Sequence, residues 1–68
     1  MTKVSKKIAR KMRLFRKKKG LTQEETAYEA ELDYSYYNQI ENGRRNPSVE
    51  AVARIAKVLG VPVKELFS

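Results

Sequence analysis

Apolar residues recur at helical spacing along most of the chain, and helix-ending residues divide it into five pieces. Ile8, Met12 and Phe15, with Leu14 beside them, mark one face of a first helix over about residues 5 to 18. Its opposite face is almost solid Lys and Arg, and Gly20 ends it. Thr22-Gln23-Glu24-Glu25 fits a capping box that opens a second helix running to about Ala30. Asp33 is the N-cap candidate for a third helix from Tyr34 to about Asn42, which Gly43 stops. Arg44-Arg45-Asn46-Pro47 reads as a basic loop. Ser48 caps a fourth helix, with Val49, Val52, Ala53, Ala56 and Leu59 as its expected inward stripe and Ile55 at the border. Gly60 ends that helix, and Pro62 suits the first turn of a last short one through Phe67. No segment alternates with the period of a strand. The pattern predicts a compact all-α domain spanning residues 1–68, with residues 1–4 as a flexible basic arm.

The third helix is the odd one. The segment "LDYSYYNQIENG" holds three tyrosines, two asparagines and a glutamine. At about 100° per residue, Tyr37 and Ile40 point inward with Glu41 close beside them. Ser35, Asn38, Gln39 and Asn42 point outward, and Tyr34 and Tyr36 occupy opposite shoulders. A helix face selected only for solubility carries Lys and Glu. This one offers hydroxyls and amides, groups that both donate and accept hydrogen bonds.

Charge adds a partner class. The net charge is +7, and residues 1–20 carry ten Lys and Arg without one acid. Residues 21–33 reverse this, with Glu24, Glu25, Glu29, Glu31 and Asp33 and no base. Such an imbalance on a small chain favours a polyanion, nucleic acid before an anionic membrane surface. Cysteine and histidine are absent, which removes disulfides, the usual zinc ligands and the usual general base. With no nucleophile–base pair and no phosphate-cradling glycine loop, an enzyme is not expected, nor a metal or other cofactor. No apolar run approaches the ~18 residues of a membrane span, so a cytoplasmic protein is the expectation.

The pieces "MRLFRKKKGLTQEE" (12–25), Ala27, "YYNQIENGRRNPS" (36–48), "IAKVLGV" (55–61) and "ELF" (65–67) stand in an order and spacing that resembles the helix-turn-helix domain of phage-repressor and Cro-type proteins, the XRE family. The resemblance implies a five-helix lambda-repressor-like fold with the helix-turn-helix at about residues 22–42 and the third helix in the DNA major groove. It implies, by position, that Gln23, Asn42 and Arg44 hold phosphate and that Tyr34, Ser35, Asn38 and Gln39 reach bases or nearby backbone. Arg45, beside Arg44, is a further phosphate candidate, although it and Lys17 to Lys19 also fit plain solvated charge. Arg16 and Glu41 match an ion pair joining the first and third helices. With no Lys or Arg on the outward face, direct readout should favour A·T pairs, and Arg44 is the one cation near enough to reach a guanine.

Three positions depart from the family pattern. Glu31 replaces a glycine common in the turn between helices two and three, where positive φ costs a residue with a Cβ more. Thr26 replaces a larger aliphatic and Tyr37 replaces Ile or Val. Either the small residue makes room for the large one, or Tyr37 tilts outward.

The leading functional reading is a repressor that binds double-stranded DNA as a homodimer on a two-fold symmetric operator and controls its own gene, without a small-molecule effector. Val61, Val63, Leu66 and Phe67 are the expected dimer surface, with closure of the monomer core as the second reading, above all for Leu66. The alternative is an antitoxin-like or bridging protein-interaction module on the same fold.

Overall fold

The computed structural model describes residues 3–68, with side chains from Ser5 onward. Five helices follow one another: α1 (Lys3–Lys19), α2 (Gln23–Glu29), α3 (Tyr34–Glu41), α4 (Val49–Leu59) and α5 (Val63–Phe67). Among the described residues there is no strand. The arm expected over residues 1–4 is corrected at residues 3 and 4, which are already helical. No Gly or Pro stands before Ser5 to prevent that. Residues 1 and 2 lie outside the described residues.

The caps fall where the sequence places them. Thr22 Oγ1 accepts from the Glu25 N–H at 3.0 Å while Glu25 Oε1 accepts from the Thr22 N–H at 2.8 Å, which closes the capping box. Asp33 and Ser48 cap α3 and α4 by single bonds, their side chains accepting from the Tyr36 and Ala51 N–H groups. Four helices end by one device, in which the residue after a left-handed position donates back to the carbonyl five residues earlier. The left-handed residues are Gly20, Gly43, Gly60 and, at φ 58°, Glu31. Glu31 is the single such residue carrying a Cβ among the described residues. Because that conformation costs a non-glycine residue about 1 kcal/mol, Glu31→Gly should raise the unfolding free energy by roughly that amount. Chemical denaturation of both proteins checks it; an unchanged or lower midpoint would mean the Glu31 side chain contributes as much as its backbone costs.

Ile8 and Met12 of α1, Ala27 of α2, Tyr37 and Ile40 of α3, Val52, Ile55, Ala56 and Leu59 of α4 and Leu66 of α5 form one buried core. In this arrangement α1 packs on α3, α4 and α5, while α2 packs on α3 and α4. The third helix is therefore gripped from two sides with its remaining face outward.

Two expected core assignments change. The buried stripe of α4 is Ala51, Val52, Ile55, Ala56 and Leu59, so Ile55 is central and Val49 and Ala53 are exposed. Eight of the eleven α4 residues are apolar, so two phases of the helix satisfy the pattern, and contact with α1 and α2 selects between them. Leu14 is exposed for a different reason: it lies beside the α1 stripe rather than on it.

Candidate nucleic-acid interface

The outward surface of α3 is held by three sets of contacts. The first joins α3 to α1. Arg16 Nε donates to Glu41 Oε1 at 2.7 Å, with the Glu41 side chain fully buried and that of Arg16 nearly so. Arg16 also donates through Nη1 to the Leu21 carbonyl at 2.7 Å, so one guanidinium ties α3 to the entry of α2. Glu41 Oε2 is buried and makes no hydrogen bond.

Beside this pair stands Tyr37, completely buried, with Thr26 equally buried opposite. The volume exchange is thus the arrangement adopted, and Tyr37 does not tilt outward. Its hydroxyl has no well-formed hydrogen bond. Burial first, and then the Glu41 carboxylate, push its phenol well above the usual tyrosine range, with Arg16 and Thr26 partly opposing.

A second set links the amides. Asn42 Nδ2 donates to Asn38 Oδ1 at 3.1 Å, and Asn38 Nδ2 donates to Gln23 Oε1 at 2.8 Å. Gln39 Nε2 donates to Ser35 Oγ at 3.3 Å. The amide ends of Asn38 and Gln39 are therefore engaged. Spacing explains it: Asn42 lies one turn above Asn38 and Gln39 one turn above Ser35. The relay has a polarity. With its oxygen occupied, Gln23 keeps its amide N–H groups as donors, the sense a phosphate oxygen accepts.

The third set fixes the basic loop. The Arg44 N–H donates to the Gln39 carbonyl at 2.9 Å, which anchors the loop to the end of α3. The guanidinium of Arg45 lies 5.1 Å from the Tyr36 ring centre, and the Tyr36 hydroxyl accepts from the Ser48 N–H at 3.1 Å. Tyr36 is thus a positioning residue for the loop, a role its sequence position as a mere shoulder residue did not suggest. The basic dipeptide just beyond α3 was the available signal, since a guanidinium that returns over an aromatic face makes a cation–π contact. Arg44 and Arg45 are both exposed, as are Tyr34, Ser35 and Asn42, while Gln23, Asn38 and Gln39 are half-buried.

The C-terminal candidates separate. Leu66 is wholly buried and Val61 packs against the core, so Leu66 is removed from the expected dimer surface. Five residues of helix place Leu66 inward and Phe67 outward, because adjacent positions differ by about 100°. Val63 and Phe67 stay exposed and, with Val49, Ala53, Pro47 and Ile8, line an apolar groove of about 520 Å³. Lys19 also has a role that solvated charge does not describe: its Nζ donates to the Val58 carbonyl at 2.9 Å in the last turn of α4.

A helix-turn-helix family model matches residues 12–66. The chain is 41% identical over 63 residues to the control protein C.MunI of Mycoplasma sp, covering 91% of this chain and 85% of that one. It is 36% identical to the restriction-modification controller protein C.AhdI of Aeromonas hydrophila, with a TM-score of 0.88 over 93% of this chain and 96% of that one. A structure of the controller protein C.Esp1396I, described as a tetramer in complex with its natural 35 base-pair operator, matches with a TM-score of 0.84, 29% identity and complete coverage of both chains. The organisation of α2 and α3 and these likenesses agree: the chain belongs to the helix-turn-helix family of XRE-type DNA-binding regulators.

Proposed function

We propose that this protein is a cytoplasmic transcriptional repressor of its own gene, reading double-stranded DNA as a homodimer on a two-fold symmetric operator. The carrying observation is the outward face of α3, uncharged along its length and bordered by the exposed cations of Arg44 and Arg45 on an anchored loop. Amides and hydroxyls match base edges, and flanking guanidinium groups match the phosphates on the groove wall. Under this reading Gln23, Asn42, Arg44 and Arg45 hold phosphate, and Tyr34, Ser35, Asn38 and Gln39 meet the bases. Engaging a base then means that Asn38 and Gln39 exchange or share their present partners. The operator complex of C.Esp1396I supports an oligomer on DNA as the acting species.

Size favours two chains. The longest axis is 26 Å, shorter than the ~34 Å between half-sites one turn apart. The apolar groove supplies a surface for the second copy: Val49 is 89% exposed, and Val63 and Phe67 are exposed across from it. Covering such a surface is favourable by about 25 cal/mol per Å² of apolar area.

Charged substitution there, Phe67→Glu or Val49→Glu, should convert a dimer to a monomer in sedimentation. It should also weaken a palindromic site far more than an isolated half-site. Val49→Glu guards against misfolding, since that side chain contributes almost nothing to the monomer core. An unchanged dimer in both variants would remove the groove from the interface. The function itself is tested by footprinting DNA upstream of the protein's own gene. Protection of a two-fold symmetric site is the expected result, and no protection would favour the protein-interaction module.

A further inference from the structure

Five of the fourteen Lys and Arg side chains described between Ser5 and Ser68 have a partner. Arg16 is paired with Glu41, Arg54 with Glu50, Lys19 with the Val58 carbonyl, Lys18 with the Phe15 ring and Arg45 with the Tyr36 ring. Of the rest, three on α1 are gathered at one cleft. Lys6, Arg10 and Arg13 are exposed, follow one another at four- and three-residue steps on one face, and make no ion pair among the described residues. They line a cleft of about 320 Å³ whose other wall is Asn42 and Gly43, at the end of α3. The two walls lie close: a Cβ built on Gly43 would stand 3.6 Å from Lys6 Cγ. Glu41 also borders the cleft, but its Oε1 is committed to Arg16 and its side chain is wholly buried. The cleft is therefore a concave surface with three unneutralised cations, continuous with the loop that carries Arg44.

We propose that Lys6, Arg10 and Arg13 form a second phosphate track on α1, which grips the DNA backbone outside the bases that α3 reads. The inference rests on the DNA-binding function proposed above. Charge selects a polyanion, and continuity with Asn42 and Arg44 selects the same duplex rather than a separate ligand. The track carries no base information, because Lys and Arg on phosphate position a protein without reading sequence. Its effect is to lengthen the footprint and steepen the salt dependence. Each phosphate contact adds about 0.9 to the slope of log affinity against log salt, so three contribute about 2.7 per subunit.

The test compares the full chain with Lys6→Gln/Arg10→Gln/Arg13→Gln on two duplexes, a selected site with long flanks and the same site trimmed to the bases read. A control, Lys7→Gln/Lys57→Gln/Lys64→Gln, removes equal charge from positions outside the cleft. On the long duplex the cleft variant should bind at least about tenfold more weakly with a shallower salt slope. Its base preference and helical content should be unchanged, and its deficit should shrink on the trimmed duplex. The control should lose much less. Equal losses for the two triple variants would reduce the track to general charge and overturn it, as would an unchanged salt slope. A cleft variant that instead loses self-association without DNA would assign the cleft to a second copy's acidic α2. A wild-type chain that binds no duplex would remove the underlying function, whereas wild-type binding with an unaffected cleft variant removes only the track.

Discussion

Raising salt from about 50 to about 200 mM should weaken specific binding by on the order of 10³ to 10⁵-fold. Arg44 and Arg45 with part of the basic cluster on α1 supply three to five phosphate contacts per subunit under this reading, and a dimer doubles them. Each contact releases condensed counterions, and the entropy of that release falls as bulk salt rises. Amide and hydroxyl contacts to base edges release none, so they set preference without contributing to the slope. Titrations of a labelled duplex at four or five salt concentrations give the slope directly. A nearly flat response would contradict DNA binding through these residues. Among single substitutions Arg44→Ala should flatten it most cleanly, since Arg45 is partly committed to the Tyr36 ring.

The second large effect is on stability. Arg16→Met should cost about 3 to 5 kcal/mol, because it strands the buried Glu41 carboxylate and also leaves the Leu21 carbonyl without its donor. Domains of this length have only roughly 3 to 10 kcal/mol to lose, so much of the variant population should be unfolded. Glu41→Met should cost less. The Arg16 side chain keeps 11% exposure against none for Glu41, and it retains the bond to Leu21. The double variant should cost clearly less than the two losses added. Urea denaturation of the four proteins completes the cycle, and two small additive losses would show that the ion pair contributes little.

How much was legible in the sequence differs by level. Helix ends were readable because capping is local: Thr22 with Glu25, Asp33, Ser48 and the glycines act within one turn. Glu31 belongs to the same class, since the geometry of a turn constrains φ whatever residue occupies it. The phase of α4 was not readable. A helix apolar on most of its circumference is oriented by its neighbours, which is why Ile55 and Ala51 are inside and Val49 and Ala53 outside. Leu66 failed as a surface residue on similar grounds, because one residue of rotation separates it from Phe67.

At the site, residue types, their common face and the one-turn pairs along it were legible, but the partners from other elements were not. The Asn38–Gln23 bond depends on how α2 crosses α3, and the Arg45–Tyr36–Ser48 cluster depends on where the loop returns. Both are tertiary facts. They matter because a face of engaged amides is pre-organised, which reduces the side-chain ordering that binding requires.

The most direct measurement is selection of binding sites from random DNA with the wild-type protein and with Asn38→Ala, Gln39→Ala and Arg44→Ala. The wild type should enrich a two-fold symmetric site whose directly read positions are biased toward A·T pairs. Gln39→Ala should relax one or two positions per half-site, costing about 1 to 3 kcal/mol on the best site and little on random DNA. Asn38→Ala should also relax the preference, and Arg44→Ala should weaken all sequences alike. No enriched sequence, or a base preference unchanged in both Asn38→Ala and Gln39→Ala, would contradict the reading of DNA by the outward face of α3.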